Sequence, residues 1–330
     1  MSPGEKTDGT GRAADAKLGR LITEQARSEL ADLDLLSADE LVALMCTDAH
    51  RVPEAVTEAQ GPIARTVEES VARMERGGRL IYIGAGTAGR VGMLDAAEAG
   101  PTFNTPPGQV VGVLAGGAVA WGTPIENAED DDGQGAADIR SLSVTEPDIV
   151  IGITASGRTP YVLGAIEAAN GASALTVGLV CNAGSPVASA ASIPIEVLVG
   201  PEVLAGSTRL NAGTAQKVVL NIISTSVMVR LGKTYGSLMV DLRATNAKLR
   251  DRATRIVAEI TGDRPERARE ALELADWSPK LAAAMLLGEV DRGRAEAELD
   301  AQRGRLRPAL EALAGGSSRD SDRGGGGAQS

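Results

Sequence analysis

The sequence predicts an α/β fold in which a five-stranded parallel sheet lies between two helix layers, followed by a small helical C-terminal subdomain. Short apolar runs alternate with helical patterns and glycine-rich loops through the middle of the chain, which is typical of parallel strands. A mostly apolar stretch over residues 211–231 then predicts a buried helix. After about residue 250, Arg, Glu, Ala and Leu dominate with helical periodicity, and no further strand is predicted.

Local patterns predict each element in turn. Ser37 and Glu40 form a predicted capping box at the start of a helical region over residues 37–76, whose apolar stripe holds Leu41, Leu44 and Met45. The predicted strands are Leu80–Ile83, Val110–Leu114, Ile149–Ile153, Leu175–Val180 and Ile193–Leu198. If the strand order is 2-1-3-4-5, the first and third strands are neighbours at the topological switch point, where such sheets bind ligands.

Composition divides the chain into four parts. Residues 1–17 and 315–330 are rich in glycine and polar residues, which predicts disordered tails. Between them we predict a main domain over residues 18–250 and a helical subdomain over residues 251–314. The many charges of the subdomain favour a solvated helix surface over a binding site.

Residue counts exclude several classes of function. The 330-residue chain has a net charge of −11, which disfavours a nucleic-acid surface. A single histidine, His50, excludes multi-histidine metal sites, and two cysteines cannot form a disulfide framework or a four-thiolate zinc site. No apolar run is long enough to span a membrane, and residues 1–17 lack a secretory signal. We therefore expect a cytoplasmic protein without metal or membrane partner.

A glycine-rich loop follows the first predicted strand. Residues 84–90 match G-x-G-x-x-G at the start of a helix, so a dinucleotide site must be considered. Such a site needs an acidic residue about 20 positions further on to hold the ribose. Residues 99–125 contain no Asp, Glu, Lys or Arg, which makes a dinucleotide oxidoreductase the weakest of the alternatives.

A second loop, residues 154–160, follows the third predicted strand and predicts a phosphate site. It contains three hydroxyl side chains, a glycine that allows close backbone approach, and one arginine. Pro160 suits a first helical turn, and hydroxyls with free N–H groups at a helix start can hold a phosphate monoester. Ordinary capping of the helix by Ser or Thr explains the same residues without a ligand.

Acid–base chemistry would fall to carboxylates, since histidine is scarce. Glu98 is predicted near the end of the helix that the first loop opens, where partial burial would raise its pKa. Glu126 and Glu129 are three residues apart and would share one helix face. Exposed surface carboxylates are the alternative for all three. A further polar stretch, residues 200–217, could bind an anion or sugar hydroxyls, or could simply cap the following helix.

Several stretches together resemble one family, the N-acetylmuramic acid 6-phosphate etherases, which have a sugar isomerase (SIS) fold. The resemblance covers residues 21–257. It is carried by Arg79-Leu-Ile-Tyr-Ile-Gly-Ala-Gly-Thr, Ala155-Ser-Gly-Arg-Thr-Pro-Tyr, Gly200-Pro-Glu-Val, Ala212-Gly-Thr-Ala-Gln-Lys, Leu238-Met-Val-Asp and Ala244-Thr-Asn. The helical C-terminal region resembles the family's three-helix subdomain.

The resemblance implies cleavage of the D-lactyl ether of N-acetylmuramic acid 6-phosphate by elimination and hydration, in cell-wall sugar recycling. It implies an amino-sugar phosphate substrate, a homodimer and no cofactor. Glu98 then matches the acid/base glutamate, and Glu129 a second glutamate that is the C2 base or a substrate anchor. The implied binding residues are Gly86, Thr87, Thr154, Ser156, Gly157, Arg158, Thr159, Glu202, Ser207 and Thr208.

The sequence also departs from the family pattern. Ala88 stands where the family usually has Ser, and Asn211 where it commonly has Lys. The residues around Glu98 read Ala-Ala-Glu-Ala-Gly-Pro instead of Ala-Ser-Glu-Cys-Pro-Pro. Ala88 and Asn211 would favour the main alternative, a sugar-phosphate-binding regulator without catalysis, whereas retention of Glu98 and Glu129 favours the enzyme. A sugar-phosphate isomerase of the same fold is another alternative.

Overall fold

The computed structural model describes residues 21–321, with gaps at 124, 243 and 245. The predicted N-terminal tail, residues 1–17, lies outside the described residues. At the other end, residues 315–321 continue a helix where the sequence predicts a tail. The described residues divide into two compact units, one that includes residues up to 97 together with 108–224, and one that includes residues 98–107 together with those from 225 onwards. The domain boundary expected at residue 250 stays a prediction.

A five-stranded parallel sheet forms the centre of the first unit, with the strand order β2-β1-β3-β4-β5 that the sequence predicts. Its strands are β1 (Leu80–Gly84), β2 (Val110–Leu114), β3 (Ile149–Thr154), β4 (Leu175–Val180) and β5 (Ile193–Glu196). β1 and β3 pair directly, so that Gly84 lies opposite Ile153. The loops after these two strands therefore begin side by side.

Eight helices lie wholly or partly in the first unit, within the part of the chain that the structure describes. They are α1 (Ala38–Asp48), α2 (Arg51–Glu58), α3 (Gln60–Met74), α4 (Gly86–Phe103), α5 (Asp132–Ser141), α6 (Pro160–Gly171), α7 (Pro186–Ala190) and α8 (Asn211–Arg230). α4 and α8 both begin in the first unit and end in residues of the second unit. Short 3-10 turns add Ile22–Glu24, Ser28–Leu30, Leu33–Leu35 and Gly117–Trp121.

Side-chain alternation along the strands separates the two faces of the sheet. A Cβ at Gly152 on β3 would touch Val162 and Ile166, so this face packs against α6. A Cβ at Gly92 on α4 would touch Tyr82 and Ile153, which point to the opposite face. The sheet thus has helices on both faces, and the predicted three-layer arrangement is confirmed.

The N-terminal region is helical, as predicted. The capping box of Ser37 and Glu40 is present, and residues 37–76 contain three helices separated by short breaks. Pro53 and Pro62 each lie third in their helix, where a missing N–H costs no helical hydrogen bond. The apolar stripe of α1 is only partly covered, since Met45 is exposed.

A buried polar network ties β1 to the helices that lie on its face. The Tyr82 hydroxyl donates to Asp95 Oδ2 at 2.7 Å, and Asn221 Nδ2 on α8 donates to Oδ1 at 2.6 Å. Ser224 adds a third donor to the same carboxylate. Burial, followed by the charge of Asp95, raises the pKa of Tyr82 well above its ordinary value, so the phenol remains a donor.

The second unit is built from helices and one short hairpin. The helices are α9 (Ala247–Thr261), α10 (Pro265–Leu274), α11 (Pro279–Gly288), α12 (Arg292–Ala301) and α13 (Leu306–Ser321). Their core consists mainly of Ala and Leu, as the composition predicts. The hairpin of β6 (Thr234–Tyr235) and β7 (Leu238–Met239) was not predicted, because two-residue strands leave too short a pattern.

No helix within residues 21–321, gaps aside, is long and apolar enough to cross a membrane.

Replacing Tyr82 with Phe tests the network. Loss of a hydrogen bond to a buried carboxylate should lower the free energy of unfolding by about 1.5–3 kcal/mol in a urea titration. Tyr235→Phe is the control, because the ring that Arg307 contacts is kept, and a change below about 0.5 kcal/mol is expected. Equal effects of the two substitutions would show that the Tyr82 hydroxyl contributes no more to the free energy of unfolding than the Tyr235 hydroxyl does.

Candidate active site

The loop after β3 gathers three hydroxyl groups into one bonded cluster. Thr154 Oγ1 lies 2.7 Å from Thr159 Oγ1 and 3.3 Å from Ser156 Oγ. Ser156 Oγ also accepts the backbone N–H of Arg158 at 3.2 Å. The cluster therefore presents hydroxyl donors at the carboxyl end of a central strand, as a phosphate site requires.

Gly157 determines the course of this loop. Its φ is +68°, and a Cβ there would lie 2.1 Å from Ser185 Oγ. A side chain would therefore be strained in its backbone and would collide with the start of α7.

The loop after β1 depends on contact between two glycines. A Cβ at Gly89 would lie 2.4 Å from the carbonyl oxygen of Gly84, and one at Gly84 would lie 2.8 Å from the Gly89 nitrogen. α4 can therefore start directly above the end of β1. Its first turn contains no acidic residue, so the positive end of the helix dipole is not neutralised from within.

Both loops line one cavity of about 260 Å³ in the first unit. Its walls are Glu24, Ala85, Gly86, Thr87, Ala88, Glu129, Thr154, Ala155, Ser156, Thr159, Thr208 and Gln216. Seven of the residues predicted for the site are thus brought together: Gly86, Thr87, Glu129, Thr154, Ser156, Thr159 and Thr208.

Glu129 reaches the cavity from a turn, which corrects the prediction of a helix face shared with Glu126. Asn127 has φ +61° and breaks the helical path, and α5 begins only at Asp132. The carbonyl oxygen of Glu129 accepts the N–H of Tyr161 at 3.0 Å, at the start of α6. This bond connects the turn to the loop that carries the hydroxyl cluster, residues 154–159, which we call the hydroxyl loop. The carboxylate of Glu129 remains exposed to the cavity.

Glu98 lies on α4 and belongs to the second unit. The helix continues five residues beyond it to Phe103, where Asn104 with φ +49° follows. The side chain is exposed, so the partial burial expected from its neighbours is wrong for this chain. Small neighbours leave a long side chain uncovered, because they offer little surface to bury it.

Glu202 has a structural position. It is 1% exposed and accepts the backbone N–H groups of Asn211 at 3.0 Å and Ala212 at 2.9 Å, which caps α8. Burial raises its pKa, and the two backbone donors oppose this shift. The carboxylate thus faces the helix start and is not part of the cavity wall.

Asn211 is also turned towards a buried carboxylate. Its Nδ2 donates to Asp48 Oδ2 at 2.7 Å, and Arg27 Nη1 binds the other oxygen of Asp48 at 2.6 Å. The side chain does not line the cavity. The replacement of the family's lysine by Asn211 therefore changes the charge around Asp48 and leaves the cavity wall itself unchanged.

Three further predicted binding residues also lie off the cavity wall, and the first of them, Gly157, is buried. Arg158 is exposed, and Ser207 is half-buried in the loop before α8. Its neighbour Thr208 does line the cavity, and its carbonyl oxygen accepts the N–H of Gly213 at 2.9 Å.

Sequence reasoning missed Glu24, Ala85, Ala155 and Gln216. Glu24 is brought there by tertiary contacts: Asn182 binds Ile22 and Thr23, and the N–H of Gly206 binds the Thr23 carbonyl. No local motif marks such a segment. Gln216, in contrast, lies in the stretch Ala212-Gly-Thr-Ala-Gln-Lys, and its position as a polar residue in a mostly apolar predicted helix could have identified it.

Metal ligands and cysteine thiols are the other candidate reactive groups. Among the described residues, no cluster of three or more His, Cys, Asp or Glu side chains is arranged to hold a metal ion. Burial raises the pKa of the Cys181 thiol to about 12, with a further contribution from Glu202. This thiol stays protonated at neutral pH and is a poor nucleophile.

Comparisons with known proteins identify the fold and the family of this chain. Residues 132–226 match the SIS domain, and residues 62–170 match the N-terminal SIS domain of glucokinase regulatory protein. An N-acetylmuramic acid 6-phosphate etherase of Rubrobacter xylanophilus is 55% identical over 90% of this chain and 98% of its own. One from Streptomyces avermitilis is 52% identical over 91% and 97%, and one from Pectobacterium atrosepticum 49% over 89% and 97%.

Gly157→Ala tests the loop. Positive φ and the collision with Ser185 should destabilise the fold by about 2 kcal/mol or more, measured by urea unfolding. Gly171→Ala is the matched control at the end of α6, where an added Cβ meets nothing within 4 Å. A Gly157→Ala protein as stable as this control would show that the loop can rearrange.

Proposed function

The chain belongs to the N-acetylmuramic acid 6-phosphate etherase family, and we propose that it is a carbon–oxygen lyase acting on N-acetylmuramic acid 6-phosphate. It releases D-lactate and leaves N-acetylglucosamine 6-phosphate. The observation that carries this proposal is identity of about half along nearly the whole of both chains. The cavity at the ends of β1 and β3 supports it.

The hydroxyl cluster holds the substrate's phosphate. Thr154, Ser156 and Thr159 supply donors from one side, and the first turn of α4 at Gly86 and Thr87 supplies backbone N–H groups from the other. No lysine or arginine is among the described residues that line this cavity, so neutral donors carry the binding.

The reaction needs proton transfer at C2 and at the oxygen atoms that leave and join C3. In the open-chain sugar, the aldehyde acidifies the C2 proton; its removal expels lactate from C3, and water then adds to the unsaturated aldehyde. Glu129, which lines the cavity, is the base that removes the C2 proton, and it returns a proton to C2 when water has added at C3. Glu98 takes the role that the family resemblance gives it: it protonates the departing oxygen and then activates the incoming water.

Assembly and location follow from the same family relation. The chain acts as a homodimer in the cytoplasm, in the recycling of cell-wall amino sugars. The exposed apolar residues of α1 support the dimer: Val42 and Met45 are 62% and 40% exposed and share one helix face. A phosphorylated sugar is a metabolite of the cell interior, which supports a cytoplasmic location for this protein.

A sugar-phosphate-binding regulator is the second candidate, and the observation in its favour is Ala88. This residue lines the cavity where the family usually places a hydroxyl. A regulator would bind the sugar phosphate and release no lactate.

Lactate release is the direct test of function. Purified, chelator-treated protein should convert N-acetylmuramic acid 6-phosphate to D-lactate and N-acetylglucosamine 6-phosphate in equal amounts. Glu98→Gln and Glu129→Gln should each lower kcat by at least about 100-fold, because each removes a proton-transfer group. Glu126→Gln, an exposed neighbour in the turn of Glu129, is the control and should keep kcat. Binding without lactate would favour the regulator; a near-normal rate in either glutamine variant would remove that glutamate from the mechanism.

Ala88→Ser tests the missing hydroxyl. A serine at this position should donate to the bound phosphate and lower KM about tenfold, as a hydrogen bond to a charged group can. Steady-state kinetics measure the change. Ala49→Ser, exposed after α1, should leave KM unchanged. An unchanged or higher KM for Ala88→Ser would show that the phosphate does not reach this part of α4.

A further inference from the structure

Gln216 is a buried polar side chain for which neither the fold nor the proposed reaction gives a role. It lies in the second turn of α8, is 1% exposed and lines the cavity with Thr87, Thr154 and Thr208. Its Nε2 is buried and has no hydrogen-bond partner among the described residues. A buried amide donor without a partner costs free energy, and native proteins rarely leave one so.

Packing directs this side chain towards the first turn of α4. A Cβ at Gly213 would lie 3.0 Å from Thr87 Cγ2, so the start of α8 lies directly against the start of α4. Gln216 follows Gly213 by three residues and therefore shares its helix face. Gln216 thus lines the same cavity as Thr87 and Ala88, with its side chain shielded from bulk solvent.

The cavity wall also contains small apolar side chains. It contains three alanines: Ala85 and Ala155 from the loops after β1 and β3, and Ala88 from the first turn of α4. Their methyl groups suit an apolar substituent of methyl size and do not solvate an anion. A neutral amide donor in a wall that also holds methyl groups is complementary to an acetamido group, which combines a carbonyl acceptor with a methyl.

We propose that Gln216 determines specificity for the 2-acetamido group: its carboxamide donates a hydrogen bond to the acetamido carbonyl oxygen, while the alanines receive the methyl. This inference rests on the proposed function, since it concerns an amino-sugar phosphate in the same cavity. The phosphate is the other acceptor on the substrate. It is served by the hydroxyls of Thr154, Ser156 and Thr159 and needs no further buried amide.

Calorimetry with two sugar phosphates separates these roles. We would measure the Kd of N-acetylglucosamine 6-phosphate and of glucose 6-phosphate, which differ only at C2, with inorganic phosphate as a third probe. The unmodified protein should prefer the acetamido sugar by about tenfold. Gln216→Met, which keeps length and burial, should reduce this preference to about twofold or less and leave the Kd of glucose 6-phosphate within about twofold. Thr214→Val, exposed on the same helix, is the matched control and should keep the full preference.

The outcomes are distinct. A preference that survives Gln216→Met overturns the inference, as does an equal loss of affinity for both sugars and for inorganic phosphate, which would place the carboxamide at the phosphate. If Gln216→Met does not fold, the unmodified protein still decides, because equal affinity for the two sugars contradicts an acetamido subsite. Lactate release by the unmodified protein is scored separately, so that the proposed function can stand where this inference fails.

Discussion

The contact between Gly84 and Gly89 is the constraint on which the site depends. Because neither residue has a side chain, the first turn of α4 lies directly on the end of β1. β3 pairs with β1 and ends beside it, so the hydroxyl loop and the start of α4 face the same space. A side chain at either glycine would push the helix away and separate the N–H groups from the hydroxyls. Gly213 has a similar effect in α8, because its lack of a side chain allows that helix to lie close to Thr87.

The buried carboxylates and the carboxylate of Glu129 at the cavity have different surroundings. Asp95, Asp48 and Glu202 are buried, and each accepts hydrogen bonds from two or more donors, which satisfies its charge inside the fold. Glu129 lines the cavity with its carboxylate exposed. Carboxylates with a structural role are thus surrounded by hydrogen-bond donors inside the fold, whereas the carboxylate proposed for proton transfer is exposed to the cavity.

Most of the sheet could be predicted from sequence, because β1, β3 and β4 are buried on both faces and read as continuous apolar runs. The hydroxyl loop was predictable for a related reason: its residues follow a strand end directly. The turn of Glu129 was not, because left-handed Asn127 breaks a run of helix-compatible residues. Glu24 could not be found at all, since its place depends on Asn182, which is 158 residues away in sequence.

The assignment of elimination followed by hydration is tested most directly by isotopes. The reaction would be run on N-acetylmuramic acid 6-phosphate in D₂O and, separately, in H₂¹⁸O, with both products analysed by mass spectrometry and NMR. The account predicts solvent deuterium at C2 of N-acetylglucosamine 6-phosphate and ¹⁸O in its C3 hydroxyl, with the lactate keeping its own ether oxygen. Retained hydrogen at C2 together with ¹⁸O in the lactate hydroxyl would mean direct displacement at the lactyl carbon and would contradict it.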